Sequence, residues 1–362
     1  EAPAVAGANT AEMSLVAVPT GNYNWGIEVE GEAKTTVAQF VSHSFYHPCG
    51  LDVDNSFESP SFGTLFVAEG YTSGKTSGYH SAQADGTDGG GLYIFDPAGN
   101  AITNPVTGGY RFYGEGLTHS YKYHTSTMGA DFKNVAVAED GRIFVTRFNS
   151  AGDYILSAPS LDELVKAGKF TNSLVGGMTM TDAIYNDAEG NFIVGPMHSF
   201  DVKGAGEETK LLAMTRDVNN AVAGSANNRV IEYELGAATV ISAGTPVAAL
   251  DAQYTASYDK TTNVVYDNRG GIWFCQYRGT PDDTNPALIY VDADGNIQYF
   301  EGKGGSERRR GSISVSPDGT KLAAAGPSGY LCIFDIEYDE ATGEVSLIEK
   351  FHVKHGMGNN LY

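Results

Sequence analysis

One short pattern recurs down this chain and limits what it can fold into: an apolar strand, a turn closing on glycine, and a second apolar strand. NVAVAEDG (134–141) leads into RIFVT, and AIYNDAEG (183–190) leads into NFIV. NVVYDNRG (263–270) leads into GIWFC, and SISVSPDG (312–319) leads into TKLAA. A stretched copy runs from Gly50–Val53 to Gly63–Val67. In each tight copy the turn glycine supplies the positive φ that a hairpin needs.

A second hairpin follows the first in several copies. Leu92–Phe95 turns at DPAGN, Leu288–Val291 turns at DADGN into Ile297–Phe300, and Tyr330–Phe334 leads through Glu337–Glu344 into Val345–Ile348. In the 134 copy the second turn is replaced by SLDELVK, where Ser160 and Glu163 have capping-box spacing for a short helix. Two consecutive hairpins make a unit of four antiparallel strands, the blade of a β-propeller. The turn glycines recur at intervals of about 50 or about 80 residues, against about 45 for an ordinary blade. The excess is assigned to long connections between second and third strands, Glu69 to Gly90 and Pro196 to Asn228, both rich in Gly, Ser, Asn and Asp.

The expected fold is therefore all-β, a β-propeller of four-stranded antiparallel blades. Residues 1–11 read as a linker stub and 12–362 as the propeller. Five full blades cover about 45–351, and a sixth is shared between 12–43 and 352–362; seven blades follow if the chain continues. Segments 135–138, 183–186, 264–267 and 313–316 should be the innermost strands of their blades.

Composition narrows function more than it defines it. A formal charge of −21 leaves nothing to offset phosphate repulsion, so nucleic acid is excluded as a partner. The same charge disfavours an anionic membrane surface, and no apolar run reaches the length of a membrane-spanning helix, so direct membrane insertion is not expected. The Ala/Pro/Gly-rich start resembles the remnant of an export signal, or the edge of an excised piece of a longer chain; on the first reading the expected location is outside the cell or on an outer-membrane surface. Three cysteines, Cys49, Cys275 and Cys332, cannot make a disulfide framework, and the latter two fall inside apolar strands as small hydrophobes. They should be reduced and metal-free, since no metal-ligand spacing occurs.

SVSPDGTKL (314–322) followed by GYLCIFD (329–335) resembles the blade signature of bacterial YVTN and lactonase-type propellers, and VAVAEDGRIFVT (135–146) resembles the NHL and gluconolactonase-type version. The chain as a whole is similar to propeller-bearing surface lipoproteins of Gram-negative gut bacteria. Such propellers include enzymes, glycan binders and protein scaffolds, so the resemblance specifies hairpins and not chemistry. A lactonase-type resemblance implies a divalent ion, Ca²⁺, in the channel, held by Glu, Asn and Asp. Asn134, Asp182 and Asp131 stand where such ligands would project, but no channel Glu completes the set. No nucleophile elbow or zinc-protease helix motif occurs either.

Segments just before the innermost strands should crowd at one end of the channel. They carry His43 and His47, His119 and His124 with Asp131, Asp182, Tyr254 and Tyr258, the triplet Arg308–Arg310, and His352 with His355. The expected ligand-binding residues are His47, His124, Asp131, Asp182, Tyr258, Arg309, Arg310 and His355, with no catalytic and no metal residues. The expected function is a binding or scaffold propeller whose partner is a glycan or a cell-surface protein, gripped by Tyr and Arg. The alternative is a metal-dependent hydrolase of the lactonase type.

Overall fold

The structure, a computed structural model, describes residues 48–69, 91–114, 132–147, 154–170, 172–173, 183–186, 192–195, 197–215, 230–237, 245–246, 261–276, 288–300, 312–326 and 330–354. Within them the chain is almost entirely antiparallel strand, with one α-helix and one 3₁₀ turn. Five sheets follow one another in chain order, each a simple up-and-down meander.

The first blade pairs Pro48–Val53, Leu65–Glu69 and Gly91–Phe95. Its fourth position is filled by a split edge, with bridges from Phe95 to Ala101 and from Leu92 to Phe112. Between these contacts the backbone bows out around buried Asn104, whose amide donates to the carbonyls of Arg111 and of Gly168 in the next blade. The second blade is Phe132–Val137, Ile143–Arg147, Tyr154–Ala158 and Asn172–Ser173. The third is Met197–Lys203, Lys210–Thr215, Val230–Glu234 and Thr245–Pro246. Thr261–Tyr266, Ile272–Gln276, Leu288–Val291 and Ile297–Phe300 form the fourth. Ser312–Val315, Lys321–Gly326, Tyr330–Tyr338 and Val345–Lys354 form the fifth.

Successive blades pack through their innermost strands, in the order 48–53, 132–137, 197–203, 261–266 and 312–315. Four hydrophobic clusters support this arrangement, because each of the four joins two neighbouring blades, while a further small one around Val67, Tyr93 and Phe95 lies within the first blade. Phe66, Leu92 and Ile94 meet Val135, Val145 and Leu156; Phe144 and Ile155 meet Phe200, Leu211 and Tyr233. Leu212 and Val230 meet Val264, Phe274 and Ile289; Trp273, Cys275 and Tyr290 meet Leu322, Cys332 and Phe334. Both faces of the middle blades are therefore buried. Their strands read as near-continuous apolar runs, because alternate residues serve opposite neighbours. Sheets stacked face to face around their inner strands are the architecture of a propeller, as the repeat implies.

The blade phase holds at 135–138, 264–267 and 313–316, whose bounds fall within three residues of the observed innermost strands. It fails at 183–186. Ala183–Asn186 pairs with Phe192–Gly195 in a separate two-stranded sheet and also packs against Thr245–Pro246 at the outer edge of the third blade. The true inner hairpin of that blade, 197–215, lies inside the stretch read as a long connection. Its turn explains the error: Gly204 has φ 82° and a 3₁₀ turn follows at Gly206–Glu208, so no Asp-x-Gly marks it. His352 is likewise not in a loop before a further strand, because Val345–Lys354 runs through it. The proposed sixth blade was to be shared between 12–43 and 352–362; residues 352–354 belong instead to the last strand of the fifth blade, and the rest lie outside the described residues.

The helix forms as its cap predicts. Leu161–Ala167 starts at Ser160, whose hydroxyl accepts the Glu163 N–H at 3.2 Å, and ends at Gly168 with φ 70°. Buried Leu164 fixes it against the core between the first two blades. Cys275 and Cys332 are buried thiols within strands, the small-hydrophobe setting read from the sequence.

Candidate functional site

A polar wall at the hub is the most distinctive chemistry among the described residues. Four innermost strands share one irregularity: their register slips by a residue between Pro48 and Gly50, Phe132 and Asn134, Met197 and Ser199, and Thr261 and Asn263. Such bulges re-aim side chains. Here they place Gly50, Asn134, Ser199 and Asn263 at equivalent positions, with Asp52, Ala136, Asp201 and Val265 two residues further on.

These positions staple one blade to the next. Asp52 Oδ2 accepts the Val137 N–H of the second blade at 2.7 Å. Asn134 Nδ2 donates to the Phe200 carbonyl of the third at 2.9 Å. Asp201 Oδ2 accepts the Tyr266 N–H of the fourth at 2.8 Å, repeating the Asp52 contact at the equivalent place. Asn263 reaches both ways, donating to Ser199 Oγ at 2.9 Å and accepting the Ile313 N–H of the fifth blade at 3.2 Å. Blades bearing Asp alternate with blades bearing Asn. Backbone N–H groups facing the channel thus find partners on the adjacent sheet, where no ladder could supply one.

The two carboxylates do not behave as surface aspartates. Burial pushes Asp52 up from 3.8 to about 8, and the negative charge of Asp201 adds to the rise. Burial likewise raises Asp201, to about 6, against the N–H bonds from Tyr266 and Val202 and the nearby Lys203 charge. The Asp201 charge thus acts on Asp52 although the second blade lies between their strands, and it favours the protonated form of Asp52.

This wall does not fit a bound Ca²⁺. A calcium site needs six to eight oxygens, typically several of them carboxylate. Among the described residues, Asp52 and Asp201 belong to no group of three or more ligand atoms, and Asn134 and Asn263 are already committed to neighbouring strands. Of the three oxygen donors read as channel ligands, Asn134 is a staple, and Asp131 and Asp182 lie outside the described residues. Asp182 also loses its rationale, because the strand it precedes is not an innermost one.

The end of the propeller bearing the first and third turns of each blade is closed by its own hydrogen bonds. Asp140 and Arg142 on the second blade clamp the third: Arg142 donates to the Gly236 and Gly206 carbonyls and to Thr209 Oγ1, while Asp140 accepts the Gly206 N–H. Arg142, with Gly206, holds Asp140 below the usual carboxylate range despite partial burial. Asp54 accepts both Ser59 and Ser61 hydroxyls, and Asp96, Asp292 and Asp339 cap their own turns. A cleft of about 380 Å³ between the fourth and fifth blades is lined by Asn268, Arg269, Asp318 and Tyr338. Its charges are engaged as well: Arg269 stacks on Tyr338 at 3.9 Å and pairs with Glu340 at 2.6 Å, and Asp318 accepts from Ser316 and Thr320.

All eight ligand-binding candidates, His47, His124, Asp131, Asp182, Tyr258, Arg309, Arg310 and His355, lie outside the described residues. What the sequence reading missed is the wall itself, Asp52, Ser199, Asp201 and Asn263. The available signal was a polar residue interrupting an otherwise apolar innermost strand, as in Leu51-Asp52-Val53.

Strand order, inner-strand packing and the stapled hub define a β-propeller. No family model matches the chain, and no curated protein matches it. Among solved structures, a protein of Bacteroides uniformis named as a candidate 6-phosphogluconolactonase is similar over 86% of this chain and 73% of its own, with 12% identity and a TM-score of 0.45. The Cps50 (Swd1) β-propeller domain of Myceliophteria thermophila is similar over 85% and 71%, with 10% identity and a TM-score of 0.43. A Lactobacillus plantarum protein shows 11% identity over 80% and 67%, with a TM-score of 0.41.

Proposed function

We propose that this chain is an exported binding or scaffold propeller that takes a glycan or a partner protein at a cell surface. The ligand docks at the end from which the second-to-third connections and the blade-to-blade connections leave. The observation that supports this is where the described polar groups are spent. Hub amides and carboxylates bond neighbouring strands, and the opposite end is closed by turn carboxylates and Arg142. Binding chemistry is then left to the other end, reached by the connections 69–91, 114–132, 215–230, 246–261 and 300–312. Connections on a rigid sheet scaffold are where recognition residues concentrate, and Tyr258, Arg309 and Arg310 fall in these segments. Paired arginines suit a carboxylated or sulfated sugar, or an acidic protein surface, because each guanidinium can hold such an oxyanion bidentately.

The test is an array of neutral, uronic and sulfated glycans probed with the full chain, followed by calorimetry on any hit. Arg309→Ala with Arg310→Ala should weaken binding at least tenfold and leave the melting temperature within about 2 °C, as for substitutions away from the core. Retained affinity together with a large loss of stability would show that the arginines hold the fold. Ca²⁺-dependent hydrolysis of a lactone by the wild-type chain would instead favour an enzyme.

A further inference from the structure

The outermost hairpin of the fifth blade brings together three residues that sequence spacing cannot connect. Tyr330–Tyr338 pairs with Val345–Lys354 so that Cys332 faces His352 and Ile333 faces Phe351, but Phe334 faces Glu349. Lys350 is the extra residue of a β-bulge. In a regular strand Glu349 and His352, three positions apart, would point to opposite faces. The bulge returns Glu349 to the face of Cys332 and His352. Lys350 pairs instead with Asp335, at 3.1 Å.

The cluster lies on the sheet face turned towards the fourth blade. Cys332 is 1% exposed and packs in the cluster with Trp273 and Cys275, whereas His352 and Glu349 are partly buried at its rim. One ligand atom from each residue (the Cys332 thiol sulfur, a His352 ring nitrogen and a Glu349 carboxylate oxygen) lies within 4.8 Å of the other two. His352 Nδ1 is 3.9 Å from Glu349 Oε1.

We propose that Cys332, Glu349 and His352 form a binding site for a divalent transition metal, Zn²⁺ by its chemistry. Tetrahedral zinc, with bonds of about 2.0–2.3 Å, sets its ligand atoms about 3.3–3.8 Å apart, so side-chain rotation alone closes the present spacing. One sulfur, one nitrogen and one oxygen suit zinc and not Ca²⁺ or Mg²⁺, which take oxygen ligands. Charge also balances: a thiolate and a carboxylate neutralise Zn²⁺, so the half-buried site carries no net charge between the blades. Binding displaces the Cys332 thiol proton to solvent, and water occupies the fourth position. The metal clips the outermost strand to its neighbour.

The full chain, stripped with a chelator and reduced, is titrated with Zn²⁺ against a chromophoric competitor and with Co²⁺ by absorption spectroscopy. The expected result is one tight site per chain, with a dissociation constant below about 1 µM and affinity falling as pH is lowered. Co²⁺ should give a sulfur-to-metal charge-transfer band. Cys332→Ser should abolish that band. His352→Gln, at the partly exposed rim, should weaken Zn²⁺ at least about 100-fold while preserving the circular dichroism spectrum. The proposal is overturned if wild type binds no Zn²⁺ at micromolar levels. It is equally overturned if Co²⁺ binds without a thiolate band, or if His352→Gln binds as tightly as wild type, since the remaining histidines would then hold the metal.

Discussion

Asp52→Asn should make this protein more stable at alkaline pH and change it little in mild acid. The folded chain holds Asp52 at about 8 against 3.8 for the free side chain, chiefly through burial and secondarily through Asp201. A raised carboxyl means that the native state binds more protons than the unfolded one, so stability falls as pH rises from about 4 to about 8. Four units at 1.36 kcal/mol each would be ~6 kcal/mol, and water reaching the channel from one side reduces this to about 2–3 kcal/mol. Asn keeps an oxygen for the Val137 N–H and loses the charge that burial penalises. Urea unfolding at pH 5, 7 and 9 measures the effect, read as midpoints at constant slope. Wild type should lose about 2–3 kcal/mol from pH 5 to pH 9 and the variant less than half of that. The window avoids Asp140 and Asp318, both held low, which titrate below it. Parallel pH profiles, or a variant weaker than wild type at pH 9, would refute the reasoning and mean that an ionised Asp52 stabilises the hub.

Two further outcomes test how the blades are joined. Arg142→Ala removes donors to Gly206, Thr209 and Gly236 and leaves Asp140 half-buried beside the third blade; a loss of about 2–4 kcal/mol in urea is expected, and less than 1 kcal/mol would show the clamp to be incidental. Gly319 has φ 69°, and a Cβ there would lie 2.1 Å from Asn268 Oδ1, so Gly319→Ala should cost about 2 kcal/mol or more. Combining it with Asn268→Ala should recover the steric part alone, and full recovery would mean that backbone strain contributes nothing.

The sequence by itself determined the strands that flank tight turns, the turns themselves and the four-stranded unit. Asp-Gly and Asn-x-Gly turns act within a few residues of chain, so SISVSPDG and NVVYDNRG could be read directly as innermost hairpins. The Ser160 cap was legible for the same reason. Tertiary structure decided the rest. Which hairpin of 183–215 faces the hub was settled by packing, with Phe200 and Leu211 buried against Phe144 and Ile155, while among the described residues the strands beside the better turn signal, 183–186 and 192–195, pair with each other alone. The hub staples join residues such as Asp52 and Val137, or Asn263 and Ile313, that share no sequence relation. The Cys332, Glu349 and His352 cluster depends on one bulge residue that reverses the face of a strand. Local turn chemistry is written in adjacent residues. Which strand lies innermost, and which side chains meet there, depends on sheets stacking against each other, and that free energy is spread over the whole chain.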